Sequence, residues 1–313
     1  MMIRMPGESY QGPLPPASDE LRAVERELQS YVFTLAAEIG ERNLFRYSQL
    51  MKAAEYIEAT LADSGYEVQR QTYDVRGQVC ENLQAELAGT DRREEIVVIG
   101  AHYDSVRGSP GANDNGSGVA AMLALARAFA KSQPLRTLRF VAFANEEPPF
   151  FQTQHMGSRV YAKRSRHHGE NIILMISLET MGYYASQPDS QRYPFPLSFI
   201  YPSTGNFIGF VSNVQNRSWV RQLLGVFRQH ARFPSEGGAL FGWIPGVGWS
   251  DHWAFWKEGY PAIMVTDTAL FRYPAYHTGS DTPEKLQYEH MARVVLGLKQ
   301  VIVAIANNRG DEG

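Results

Sequence analysis

EIVVIGAHYD, residues 95–104, decides how the rest of the chain is read. Its first six residues form a short apolar run of the kind found in a strand buried on both faces, the usual setting of parallel strands. The last four, Ala101-His102-Tyr103-Asp104, then place a histidine and a carboxylate immediately past that strand. The arrangement recurs. LRFVAFA, residues 138–144, runs into Asn145-Glu146-Glu147, and IILMISL, residues 172–178, runs into Glu179. AIMVT, residues 262–266, precedes a loop carrying Tyr276-His277-Thr278-Gly279-Ser280-Asp281. Between the first two runs, residues 116–130 have Val119, Met122, Leu123, Ala126 and Phe129 on one helical face. Strands alternating with helices predict a three-layer α/β/α fold with a mixed, mainly parallel central sheet. In such sheets chemistry collects just beyond the carboxyl ends of the strands.

Outward from this centre the pattern is simpler. Residues 19–39 carry Leu21, Val24, Leu28, Val32 and Leu35 at helical spacing. Residues 47–64 do the same with Leu50, Ala54, Ile57 and Leu61, and Gly65 follows as a stop. Residues 66–88 alternate like strands about a turn at Arg76-Gly77, and residues 293–306 close the chain as a helix. Residues 1–18 read as a flexible lead-in and residues 19–313 as one domain. Within it, residues 183–249 are rich in Pro, Gly and aromatics and read as an elaborated lid.

Composition narrows the function. A chain of 313 residues needs no disulfide or oligomer to build a core. Lys plus Arg is 30 and Asp plus Glu is 33, so a net charge of −3 gives no electrostatic case for nucleic acid or an anionic membrane. The single cysteine, Cys80, excludes a disulfide framework and a Cys-rich zinc site, so a metal here must be held by His, Asp and Glu. No apolar run approaches the roughly 18 residues of a membrane span. No signal-peptide pattern is visible in residues 1–16. The compartment stays open: cytoplasmic if that terminus is native, periplasmic or secreted if a signal segment was trimmed. Gly-x-Ser-x-Gly, P-loop, His-Glu-x-x-His and Gly-x-Gly-x-x-Gly patterns are all missing from the sequence.

Singly, the polar residues at the strand ends have ordinary readings. Vicinal glutamates form solvated faces, Asp114 could cap the helix that follows it, and His102 and Asp104 could be a local hydrogen-bonded pair. Their joint placement at four strand ends is what points to a metal. Two divalent ions need a bridging carboxylate and capping ligands on each side, and a free carboxylate beside them can take a proton from an activated water. Zn²⁺ accepts both His nitrogen and carboxylate oxygen.

The motifs HYDS (residues 102–105), NDNGSG (113–118), NEE (145–147) and YHTGSD (276–281) occur in this order, and with them the chain resembles the M28 family of zinc aminopeptidases, its bacterial members in particular. The resemblance runs from about residue 95 to residue 286. It implies two Zn²⁺ ions bridged by Asp114, with His102 and Glu179 capping one and Glu147 and His277 the other. It further implies Glu146 as general base and Tyr276 as an oxyanion donor. Asp104 would orient His102, with Asp281 in a similar role near His277, and the Asp114–Asn115 peptide would be cis. The chain departs from the pattern at Glu179, where well-studied members carry Asp; glutamate is one methylene longer and can still ligate. The implied activity is removal of N-terminal residues from peptides.

Other residues are placed by their neighbourhood. Asp251, in Ser250-Asp251-His252, is expected beside the site. Phe151, Trp249 and Tyr273, from the two aromatic clusters, are expected to line a pocket for an apolar side chain. Three other readings compete. A single-zinc glutaminyl-peptide cyclotransferase shares the fold, but such enzymes tend to depart from the Asp-Asn-x-Ser-Gly and Tyr-His-Thr patterns intact here. A non-catalytic receptor or scaffold should have lost ligands, yet all five positions hold ligating types. Carboxypeptidase or dipeptidase action would need a cation such as Arg272 for a C-terminal carboxylate. The sequence leaves the oligomeric state open.

Overall fold

In the computed structural model, which describes residues 4–308, the elements run α1 (Asp19–Phe33), α2 (Tyr47–Asp63), β1 (Val68–Val75), β2 (Gln78–Leu87), β3 (Arg92–His102), α3 (Gly118–Phe129), β4 (Arg136–Phe143) and α4 (Gly157–His167), followed by β5 (Asn171–Glu179), β6 (Ile208–Asn213), α5 (Arg217–His230), β7 (Ser235–Leu240), α6 (His252–Lys257), β8 (Ala262–Thr266) and α7 (Tyr288–Ala306). Local chemistry sets several boundaries. The Ser18 hydroxyl accepts the Leu21 N–H and caps α1. Arg76 and Gly77 both take positive φ, as a tight two-residue hairpin between β1 and β2 requires.

The strands form one sheet in the order β1-β2-β4-β3-β5-β8-β6-β7. The central pairs β4/β3, β3/β5 and β5/β8 are parallel, as is β6/β7, whereas β1/β2, β2/β4 and β8/β6 are antiparallel. The apolar run of β3 divides between two cores. Val97 and Ile99 join the larger cluster with α1, α2, α3, α5 and α7, while Ile96 and Val98 join the smaller one with α4 and α6. Burial on both faces is why that run shows no alternation.

Residues 183–249 are not all loop. The stretch contains β6 and β7, which extend the sheet, and α5, which covers it. Both strands are six residues long and contain glycine, so neither shows a strand period. α5 does carry Val220, Leu223, Leu224 and Phe227 at helical spacing. Residues 4–18 contain no helix or strand and lie against α5 and β7. The Ser9 hydroxyl accepts the Ser235 N–H, and Arg228 Nη1 donates to the carbonyls of Pro6 and Gly7. Residues 1–3 of the lead-in, and residues 309–313, lie outside the described residues. Among the described residues no helix is long and apolar enough to cross a membrane.

Candidate metal centre

β4, β3, β5 and β8 are adjacent and parallel, so their carboxyl ends share one rim. His102 ends β3 and Glu179 ends β5, Glu146 and Glu147 lie in the turn after β4, and the loop after β8 returns with His277. Asp114 enters from the turn before α3. His102 Nε2 lies 3.3 Å from Asp114 Oδ1 and 3.3 Å from Glu179 Oε2. His277 Nε2 lies 3.1 Å from Asp114 Oδ2 and 3.2 Å from Glu147 Oε2. The five residues thus form two three-donor clusters that share Asp114, one of its oxygens facing each histidine.

The donor atoms fit metal ions. His102 Nε2, Asp114 Oδ1 and Glu147 Oε1 are buried without a hydrogen-bond partner. Leaving a buried polar atom unmet costs about 1–3 kcal/mol each. A divalent cation is a partner that an imidazole nitrogen and facing carboxylate oxygens can share, and this nitrogen–oxygen set suits Zn²⁺.

Crowded carboxylates show the same need for positive charge. Burial, reinforced by the Asp114 charge, pushes Glu147 up to about 8. Burial also raises Glu146 well above the usual carboxylate range, and raises Glu179. Burial works against charge on His277, but its hydrogen bonds to Asp114 and Glu147 lift it to about 10. Burial likewise opposes ionisation of Asp114, yet the imidazoles of His102 and His277 facing it hold it below the ordinary range. Protons thus gather on ligand atoms, and metal binding would release them.

Neighbouring residues hold the donors in place. Asp104 lies 3.5 Å from His102 Nδ1, and its two oxygens accept the N–H groups of Glu146 and Glu147 at 3.0 and 3.1 Å. Asp104 therefore aims three site residues, the two glutamates through its carboxylate and His102 chiefly through its own backbone carbonyl, 3.2 Å from Nδ1. Asp281 acts elsewhere than expected: it accepts the N–H groups of Asn113 and Asp114 at 2.8 and 3.1 Å, clamping the Asp114 loop rather than steadying His277. Tyr273 also differs from expectation. It is buried, donates to Asp281 at 3.0 Å and packs its ring tilted against Tyr183, so it supports the clamp and is not among the residues lining the cleft beside Glu179. Asn115 ties this loop to β5, donating to Leu178 O and accepting the Gly118 and Thr180 N–H groups. A Cβ at Gly118 would lie 2.3 Å from both Asn115 Oδ1 and Leu178 O, so the close approach requires glycine. The Asp114–Asn115 peptide is cis. Asn145, Thr180 and His277 take φ of 57°, 49° and 58°, a left-handed backbone that side-chain-bearing residues adopt where surroundings over-determine it.

A cleft of about 830 Å³ opens beside Glu179 and Tyr276, and Trp249 lines it. Phe151 does not; it is half-buried in the turn after Glu147. Tyr276 stacks on His277 with centroids 3.9 Å apart. Asp251 is fully buried, and burial pushes it up to about 7, against the pull of His102. His252 is a core histidine, its Nε2 2.8 Å from Val247 O and its ring edge-on to Trp256.

Residues 82–302 match the model of peptidase family M28. The chain belongs to peptidase family M28. It is 37% identical over 296 residues to the uncharacterized protein YfbL of Escherichia coli K12, covering 92% of this chain and 89% of that one. It is 26% identical over 223 residues to leucine aminopeptidase 1 of Arthroderma otae, covering 66% of this chain and 54% of that protein, so it spans about half of that relative's length. Two solved structures share the fold. BSAP, a zinc aminopeptidase from Bacillus subtilis, matches with a TM-score of 0.73 at 15% identity, covering 92% of this chain and 96% of that one. The glutaminyl cyclase of Bacteroides thetaiotaomicron matches at 0.67 and 17%, covering 89% and 97%.

Two contributors in this M28 chain carried no signal in the sequence. Arg42 is fully buried in the loop between the first two helices, and burial pulls it down to about 10. It donates to the carbonyls of Tyr103, Pro110 and Gly111, and its charge sits behind Asp104, Asp281, Asp114 and Glu147. Ser250 donates to Glu179 Oε2 at 2.7 Å and lies 2.9 Å from Ser177 Oγ. Its neighbour Asp251 drew attention in the sequence, but a hydroxyl's partner is visible only in three dimensions. Ser250→Ala should leave the fold intact and weaken retention of one ion by about tenfold, the lower end for losing a group that orients a ligand. Zinc retention in a chelator-buffered series checks this; an unchanged profile would mean Ser250 does not set the Glu179 position.

Proposed function

We propose that this protein is a zinc-dependent exopeptidase that removes N-terminal residues from peptides, using two Zn²⁺ ions. The observation that carries the reading is the pair of three-donor clusters sharing Asp114, with Glu146 beside them but in neither. His102, Asp114 and Glu179 would hold one ion, and Asp114, Glu147 and His277 the other. Zinc, when bound, polarises a carbonyl and lowers the pKa of water. Glu146 takes the proton of the attacking water and passes it to the leaving amine. Its burial keeps the carboxylate poised to hold that proton. Glu146 and Glu179 also offer negative charge to the substrate's ammonium.

Two features favour amino-terminal over carboxyl-terminal action. Among the described residues no Lys or Arg lines the cleft to meet a C-terminal carboxylate. Arg272 is buried and donates to Gln191 Oε1 at 2.7 Å and Phe207 O at 2.8 Å. A metal count combined with a screen of aminoacyl-p-nitroanilides, N-terminally blocked peptides and N-terminal Gln peptides tests the reading. About two ions per chain with cleavage of free but not blocked N-termini is expected. One tightly held ion with pyroglutamate formation would replace it with a cyclase, and no turnover with any substrate would favour a scaffold.

Tyr276→Phe should lower kcat with little change in metal content or KM. A phenol aimed at a developing oxyanion acts in the transition state, and losing such a donor costs about 10²–10³ in rate. The lower end or less is expected, because zinc polarises the same oxygen. A kcat within about twofold of the parent would exclude the oxyanion role, since that role requires transition-state stabilisation to be lost.

A further inference from the structure

The cleft beside the metal centre does not end in apolar surface. Glu179 pairs with Thr266 across β5/β8, Thr266 with Gly209 across β8/β6, and Gly209 with Glu236 across β6/β7. Residues paired in register project from the same face of a sheet. These four therefore form one row, and all four line the cleft. Three strand spacings of about 4.8 Å put the α-carbons of Glu179 and Glu236 roughly 14 Å apart. Gly209 has no side chain, so the row is open between Thr266 and Glu236. Leu197, Leu240 and Val247 form an apolar cluster along the cleft. One end of the cleft thus meets the metal donors, its length is apolar, and its far end carries a carboxylate.

That carboxylate is only partly engaged by its neighbours, through a long ion pair with Arg228 and the adjacent Ser9 hydroxyl. Arg228 is the nearby cation, with Nη2 3.7 Å from Glu236 Oε2, beyond hydrogen-bond distance. Its N–H groups are directed to Ser235 O, Ser235 Oγ and the carbonyls of Pro6 and Gly7. The Ser9 hydroxyl accepts the Ser235 N–H and can donate to Glu236, which leaves the carboxylate further lone pairs for a second donor. Tyr193 and Tyr201 stack at 5.7 Å near the same end, but their hydroxyls donate to Pro202 O and Gly237 O. Burial raises the Glu236 pKa, with the charge of Arg228 opposing it.

We propose that Glu236 is the specificity determinant of this cleft and selects substrates whose N-terminal residue is arginine or lysine. Long basic side chains lay their methylene stem along apolar surface and carry charge only at the tip. A fully extended arginine with one hydrogen bond suits the span from the metal donors to Glu236, and the planar guanidinium can meet both carboxylate oxygens. Leucine or phenylalanine would fill only the near half of the cleft and leave Glu236 facing water.

This assignment rests on the exopeptidase reading, and two measurements separate their failures. The first compares kcat/KM for arginine, lysine, norleucine and leucine aminomethylcoumarin amides in the zinc-loaded parent and in Glu236→Gln. The variant should lose about tenfold to a hundredfold on the two basic amides while leucine stays within about threefold, as expected for losing a hydrogen bond to a charged group. An arginine-to-leucine ratio that Glu236→Gln leaves unchanged overturns the assignment. The second measures agmatine binding by calorimetry, and it decides if the parent cleaves none of the amides. Agmatine bound by the parent, and at least about tenfold more weakly by the variant, keeps the assignment while the exopeptidase reading falls. Agmatine affinity equal in both proteins, or undetectable in both, overturns the assignment. The variant's thermal melt, read alongside, establishes that it is folded; if it is not, Glu236→Asp, which keeps the charge, should retain the preference for arginine over leucine, and loss of that preference in a folded Asp variant overturns the assignment.

Discussion

Asp114→Ala is expected to reduce bound zinc from about two ions per chain to less than one and to lower kcat/KM by about a thousandfold or more. Stabilisation by a metal ion is worth several kcal/mol in the transition state, and this residue serves both clusters. Its Oδ1 lies 3.3 Å from His102 and its Oδ2 3.1 Å from His277, so its loss takes a donor from each set. Each remaining cluster would keep only two protein donors, against the three of an ordinary catalytic zinc site. The loss should also appear without turnover. Zinc at a hundred times its dissociation constant stabilises a folded protein by about 2.7 kcal/mol, and the variant should show little of that rise in melting temperature. Elemental analysis and melting with and without zinc check both. A variant that still holds two ions would remove Asp114 from its bridging position.

Glu146→Gln should leave zinc content nearly intact while kcat falls by at least about a hundredfold, the scale of a lost general base. Glutamine keeps the size and the backbone and loses only the capacity to carry the proton. Glu147→Gln should instead reduce zinc retention. The geometry behind the contrast is specific. Both N–H groups are pinned by Asp104, and the two side chains diverge, Glu146 toward His102 and Glu147 toward His277. Glu147 Oε2 approaches His277 at 3.2 Å and its Oε1 is orphaned, as a ligand's would be. Glu146 belongs to neither three-donor cluster, although its Oε2 comes within 3.8 Å of His102 Nε2. Steady-state kinetics and metal analysis of the pair decide the matter, and the reverse pattern would exchange the two roles.

The sequence by itself determined the framework. β3, β4, β5 and β8 are legible because a strand buried on both faces has to be apolar throughout, and such runs are short and conspicuous. The donors His102, Asp114, Glu147, Glu179 and His277 are legible because ligating chemistry requires particular side chains, and these stand at strand ends or in the loops that follow them. Tertiary structure alone decided the rest. β6 and β7 lack a period because glycine breaks their pattern, and they hold their places by pairing with β8 and with each other. Asp281 and Tyr273 were legible as polar and aromatic residues near a ligand, but whether they face His277 or the backbone of Asp114 depends on how two loops cross. Arg42 and Ser250 act through contacts with residues more than sixty positions away, with Tyr103 O and Glu179 Oε2 as examples. The row from Glu179 to Glu236 crosses β5, β8, β6 and β7, whose order in the sheet differs from their order in the chain, so only sheet register could bring its two carboxylates to one cleft. Composition decides what chemistry a residue can do, whereas register and loop crossing decide which atom it faces.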